Sequence, residues 1–132
     1  MEAPANLPIL DRSHLSAMTG GDTDLAVEVI EIFRQQADVW GRLLSAREPH
    51  ETWADAAHSL KGAALGIGAI KLAKVCTRAE TLGRSGTASP AEAAVALDDV
   101  RACLGTTLEA AAVAAHELAG STGFSASNAS NS

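Results

Sequence analysis

The sequence is short of aromatic side chains, cysteine, proline and positive charge, and each shortage narrows what the chain can be. Only 3 % of its 132 residues are aromatic and none is tyrosine, so a core must be assembled from Ala, Leu, Val and Ile. Ala and Leu are strong helix formers, and a chain rich in them packs as close-set helices. The cysteines Cys76 and Cys103 are too few for a disulfide framework, and each falls at an apolar-periodic position that reads as a buried thiol. Ten basic residues stand against sixteen acidic ones, for a net charge of −6. That balance argues against nucleic acid as a partner, because a phosphate backbone is held by cationic surface. No run approaches the ~20 apolar residues of a membrane span. The start, MEAPANLPIL, carries an acid and prolines where a signal peptide has positive charge and an apolar run. The expectation is a cytoplasmic protein with no nucleic-acid and no membrane partner.

What is present is helical pattern. Apolar residues make up 47 % of the chain and charged residues 20 %, a globular composition sufficient for one domain. Residues 1–10, with Pro4 and Pro8, read as an irregular arm. Asp11 or Ser13 starts a short helix that ends at Gly20-Gly21. Asp22 caps a long one, with Leu25, Val29, Ile32, Phe33, Trp40, Leu43 and Leu44 on its apolar face and Pro49 as its stop. A third helix runs from about Glu51 to Ile67 and a fourth from Gly68 to the glycines at 83 and 86. Ser89-Pro90-Ala91-Glu92 is a helix start, with Ser as cap, Pro at the first helical position and Glu at the third. Beyond it Leu97, Leu104, Ala111 and Leu118 recur every seven residues, as in a bundle seam. Gly120 closes that helix, and 121–132 reads as a disordered polar tail. No segment alternates like a strand. The fold expected is all-α: an antiparallel up-down-up-down four-helix bundle over 11–120, covered at one end by the short first helix. One core face per helix makes a monomer the expected state, and the initiating Met and polar tail read as those of a stand-alone protein.

The stretch AAHSLKGAALGIGA, Ala56 to Ala69, carries the chemistry. At ~100° per residue, Trp53, Ala57, Leu60, Ala64 and Ile67 share a stripe about 80° wide, which is the core face. His58 lies about 140° from the centre of that stripe, Leu65 about 120°, Gly62 about 180° and Lys61 about 80°. The histidine therefore points to solvent, with Gly62 one turn on. A helical glycine costs about 1 kcal/mol relative to alanine, and what it leaves here is open space beside an imidazole. Lys61 can swing its ammonium toward anything approaching the ring. A histidine's ordinary pKa of ~6.5 keeps an imidazole mostly neutral, and so nucleophilic, at cellular pH. Such equipment suits phosphoryl transfer, although an ordinary surface histidine beside a lysine has the same two residues. HSLKG has no second ligand at metal spacing, and GAALGIG lacks the order of a nucleotide loop. Gly68 reads as the helix end and Gly66 as a close-packing position. His14, His50 and His116 lack the Lys-Gly context.

AHSLKGAALGIGA resembles the signature of the histidine-containing phosphotransfer (HPt) domains of multistep two-component phosphorelays. GGDTDLAVEVIEIF resembles the helix before that motif, and LAKVCTRAETLGRSG, with Glu80 and Gly83-Arg84, the helix after it. The likeness spans roughly residues 7–118. It implies a carrier without an ATP site, whose histidine takes a phosphoryl group from a receiver-domain aspartate and passes it to another receiver. By the motif, His58 is the phosphorylated residue, Lys61 steadies the phosphoryl oxygens and Gly62 admits the receiver. No cofactor belongs to the carrier; Mg²⁺ is expected on the receiver. Response regulator receiver domains and a hybrid histidine kinase are the implied partners. A binding-only helical adaptor, docking receivers or kinases without carrying phosphate, is the alternative. The docking surface is expected to surround His58, with Leu65, Ala69, Ala17 and Met18 as an apolar patch. Lys71, Lys74 and Arg78 form a basic stripe that an acidic partner could meet.

Overall fold

The computed structural model describes the backbone of residues 8–131 and the side chains of residues 8–120. The helices are α1 (Arg12–Met18), α2 (Thr23–Gly41), α3 (His50–Ile67), α4 (Ile70–Ser85) and α5 (Pro90–Asn131). No strand occurs among the described residues.

Local chemistry sets the helix starts. The Asp11 carboxylate accepts from the His14 N–H, and that of Asp22 accepts from the Leu25 N–H, each at 3.1 Å. Ser89 and Glu92 form a reciprocal capping box, the Ser89 N–H donating to Glu92 at 2.8 Å and the Glu92 N–H to Ser89 Oγ at 3.1 Å. Gly68 ends α3 in the left-handed conformation, φ 79°, and the Asp11 N–H donates to its carbonyl at 2.9 Å. That bond seats α1 on the α3–α4 turn. A Cβ at Gly68 would stand 2.9 Å from the Asp11 carbonyl oxygen, so the close seating needs glycine as much as the turn does.

Within each of the pairs α3–α4 and α2–α5 the two helices run in opposite directions. Arg84, at the end of α4, reaches Glu51 and Asp55 near the start of α3. Val75 and Leu82 of α4 line a groove with Ala91, Val95 and Asp99 of α5. Gly41, closing α2, faces Leu104, while Ala26 near the start of α2 shares a cleft with Leu118. The core is continuous: Phe33 of α2, Trp53 and Leu60 of α3, Leu72 of α4 and Leu97 and Val100 of α5 belong to one buried cluster.

Three sequence expectations are corrected. Leu25 and Ile32 are exposed; the buried face of α2 is Ala26, Ile30, Phe33 and Ala37, in which two small alanines flank two large apolar side chains. The helix ends at Gly41, well short of Pro49, and Leu44 enters the core from the following turn, its carbonyl accepting from Arg101. The backbone of α5 continues as helix through Gly120 to Asn131. The expected polar tail at 121–132 lies outside the residues whose side chains are described, and the arm at 1–7 lies outside the described residues altogether.

Candidate functional site

The α3 stripe predicted from spacing is the buried face: Trp53, Ala57, Leu60, Ala64 and Ile67 are all at most 1 % exposed. With that face fixed, His58 stands on open surface, its side chain 60 % exposed. Its neighbour across the seam is Glu80 of α4, a carboxylate only 17 % exposed.

Glu80 contacts both candidate side chains of α3. Its Oε2 lies 2.9 Å from His58 Nδ1, and its Oε1 accepts from Lys61 Nζ at 2.8 Å. A carboxylate can only accept, so Nδ1 carries the proton and the lone pair of the neutral ring sits on Nε2. The Lys61 hydrogen bond, opposed by burial and aided by the charges of Lys61 and His58, holds the Glu80 carboxyl below the usual carboxylate range. Glu80 therefore stays ionised and keeps the tautomer fixed. Arg84, one turn on, places its Nη2 3.7 Å from Glu80 Oε2, while its Nη1 contacts Glu51 and Asp55 at 2.7 Å each.

A Cβ built on Gly62 would meet nothing within 4 Å. No packing inside the chain accounts for this glycine, and the space beside the ring is open. Gly66 is also free of neighbours within 4 Å, which corrects its reading as a close-packing position. Leu65 is 47 % exposed on the same helix, and Met18 and Ala17 are exposed on α1. Ala69 is corrected: it precedes α4, fully buried beneath the α1 contact, and has no place in a surface patch. Lys71 is half-buried, whereas Lys74 and Arg78 are exposed. Cys76 lies buried close to the charged pair, and burial pushes its thiol up to about 12, so it stays protonated and unreactive.

Sequence reasoning missed what four residues do. Glu80 was visible only as part of a family pattern, because its role depends on a neighbour 22 residues away in the chain. Leu25 and Ile32, taken as core, add exposed apolar surface on α2. Gly83, taken as a helix end, lies inside α4, where a Cβ would stand 2.8 Å from both Ala54 Cβ and Trp53 Cζ3. That contact brings α3 and α4 close enough for Glu80 to reach His58.

The main surface grooves among the described residues lie elsewhere, between α4 and α5, between α2 and α5, and where α1 meets α2 and α5, and His58 lines none of the three. An exposed imidazole outside these grooves suits a macromolecular partner better than a small substrate.

The Hpt domain family matches residues 24–112, most of the chain. The chain belongs to the Hpt family. Among solved structures it is similar to the histidine phosphotransferase ShpA of Caulobacter crescentus, with 36 % identity and a TM-score of 0.68 over 85 % of this chain and 95 % of that one. No curated protein matches it. Membership gives this Hpt domain a phosphotransfer role in two-component signalling, in which Hpt domains interact with receiver domains and kinases. Among the described residues of this Hpt protein, no helix is long and apolar enough to cross a membrane.

Proposed function

We propose that this Hpt domain is a cytoplasmic phosphorelay carrier in which His58 accepts a phosphoryl group from a receiver aspartate and passes it to another receiver. The observation that carries the reading is the exposed imidazole whose Nδ1–H is held by Glu80, leaving Nε2 free. The Nε2 lone pair attacks the phosphorus of an aspartyl phosphate. The Nε2–P bond forms as the P–O bond to the aspartate breaks, and the carboxylate leaves with the electron pair. The ring becomes a cation on phosphorylation, and the ionised Glu80 beside Nδ1 stabilises it. Transfer onward reverses these steps at a second receiver. Lys61, 2.8 Å from Glu80, can turn its ammonium to the phosphoryl oxygens, and Gly62 leaves the approach to Nε2 clear. Mg²⁺ is the receiver's contribution.

The receiver would dock around this face. The exposure of Met18, Ala17 and Leu65 supports an apolar docking patch, and Leu25 and Ile32 are further exposed apolar residues on α2. Lys71 would border it on α4.

The test is incubation with a phosphorylated receiver. Wild type should gain an acid-labile, alkali-stable phosphoryl group, and His58→Gln should gain none. Gly62→Gln should keep its circular dichroism and slow transfer by about 10²-fold, the loss that displacing a reacting group brings. Label on His58→Gln would overturn the assignment. A wild type that binds receivers and takes no label would leave the binding-only adaptor.

A further inference from the structure

Arg84 touches neither the ring nor the space beyond Nε2, yet its guanidinium joins every carboxylate on the His58 side of the α3–α4 seam for which a contact is seen. Its Nη1 lies 2.7 Å from Glu51 Oε1 and 2.7 Å from Asp55 Oδ1, and its Nη2 lies 3.7 Å from Glu80 Oε2, the oxygen that faces His58. Asp55 precedes His58 by one helical turn. Helical side chains lean toward the N-terminus, so the His58 side chain lies over the turn that carries Asp55. Glu51 is one turn further along the same face. A phosphoryl group on Nε2 brings nearly two negative charges to a surface that already holds Glu51, Asp55 and Glu80. Lys61 offsets one of these carboxylates, and Arg84 is the other cation in contact with them.

We propose that Arg84 is a positioning residue that sets the equilibrium of transfer, by neutralising Asp55 and Glu51 so that the phosphorylated state of His58 is tolerated on an otherwise anionic face. The inference rests on His58 being the phosphoacceptor. Without Arg84 the two carboxylates repel the phosphoryl group through largely aqueous surroundings, and the label moves toward the receiver. The step itself is unchanged: the same N–P bond forms and breaks. Only the relative stability of its two ends differs.

The experiment equilibrates the full chain with a phosphorylated receiver and measures the share of label on each protein. Arg84→Gln should move the equilibrium about 3–10-fold toward the receiver, from one unit of charge acting on a near-dianion at roughly 8 Å in a high dielectric. Raising salt should shrink that difference. Arg84→Lys should restore most of the wild-type partition, because it returns the charge. Asp55→Asn added to Arg84→Gln should also restore it, because it removes the carboxylate that Arg84 neutralised. A purely structural role would move the melting temperature and leave both restorations absent. Wild-type partition in a folded Arg84→Gln, or failure of Asp55→Asn to compensate, would overturn the proposal. If wild type takes no label, it is the phosphoacceptor reading that falls, and this inference falls with it.

Discussion

The α3–α4 seam and the α2–α5 seam join helices of the same bundle by different means. Across α3–α4 the ion pairs run between helices: Lys61 and His58 to Glu80, and Arg84 to Glu51 and Asp55. Across α2–α5 no ion pair is seen among the described residues: Glu31–Arg34, Asp38–Arg42 and Asp98–Arg101 are each three or four residues apart in the chain, and Glu117 of α5 reaches Arg12 of α1. Each seam also has a glycine facing its partner helix. At Gly41 an added Cβ would sit 3.6 Å from Leu104, an ordinary contact. At Gly83 it would collide with Ala54 and Trp53 at 2.8 Å. The α2–α5 seam is held by side chains that could be exchanged for others of similar shape. In the α3–α4 seam the backbones are drawn together so that one carboxylate can reach two side chains at once.

The largest effect should come from closing that gap. Gly83→Ala should cost about 1–3 kcal/mol by overpacking, whereas Gly41→Ala should be neutral or stabilise by up to about 1 kcal/mol, alanine being the better helix former. Chemical denaturation of the two variants reads the difference directly, and equal effects would abolish the distinction between the seams.

A smaller effect concerns acid. Because the folded state holds the Glu80 carboxyl below its unfolded value of ~4.3, its stabilising contribution is complete above that pH and disappears as pH falls through the folded value. Thermal melts should therefore show wild type losing, below pH ~4, an increment that Glu80→Gln lacks at every pH. Parallel pH curves for the two proteins would show that the cross-seam carboxylate adds nothing.

The smallest effect belongs to the other seam. Arg42→Ala removes an exposed pair four residues apart, worth about 0.3–0.5 kcal/mol. Its stability should change by no more than that and its transfer rate not at all, and a clear loss of transfer would mean that the α2 surface does more than carry apolar residues.

Within α3, much of the site was legible. Periodicity alone turned Trp53 and Leu60 inward and His58 outward, because a regular helix fixes the angle between any two of its residues. The same arithmetic misled on α2, where large apolar residues were taken for the core. Leu25 and Ile32 are bulkier than Ala26 and Ala37, yet it is the alanines that face the neighbours. Ala69 failed in the opposite sense: a residue beside an exposed motif became buried once α1 closed over the α3–α4 turn. Gly83 was legible as a glycine and illegible as a contact, since nothing local says which helix will press against it.

By itself the sequence determined the all-α class, the caps at Asp22 and Ser89, a first cap at Asp11 or Ser13 that the structure resolves to Asp11, and the outward direction of His58 with an open Gly62 beside it. These follow from backbone periodicity and from hydrogen bonds only a few residues apart. Only the tertiary structure decided that Glu80 would hold Nδ1, that Arg84 would gather Glu51 and Asp55, and that Ile32 would remain at the surface. Those outcomes depend on how closely two helices approach and in what register. That approach is set by shape at contacts such as Gly83 on Trp53, between residues far apart in the chain.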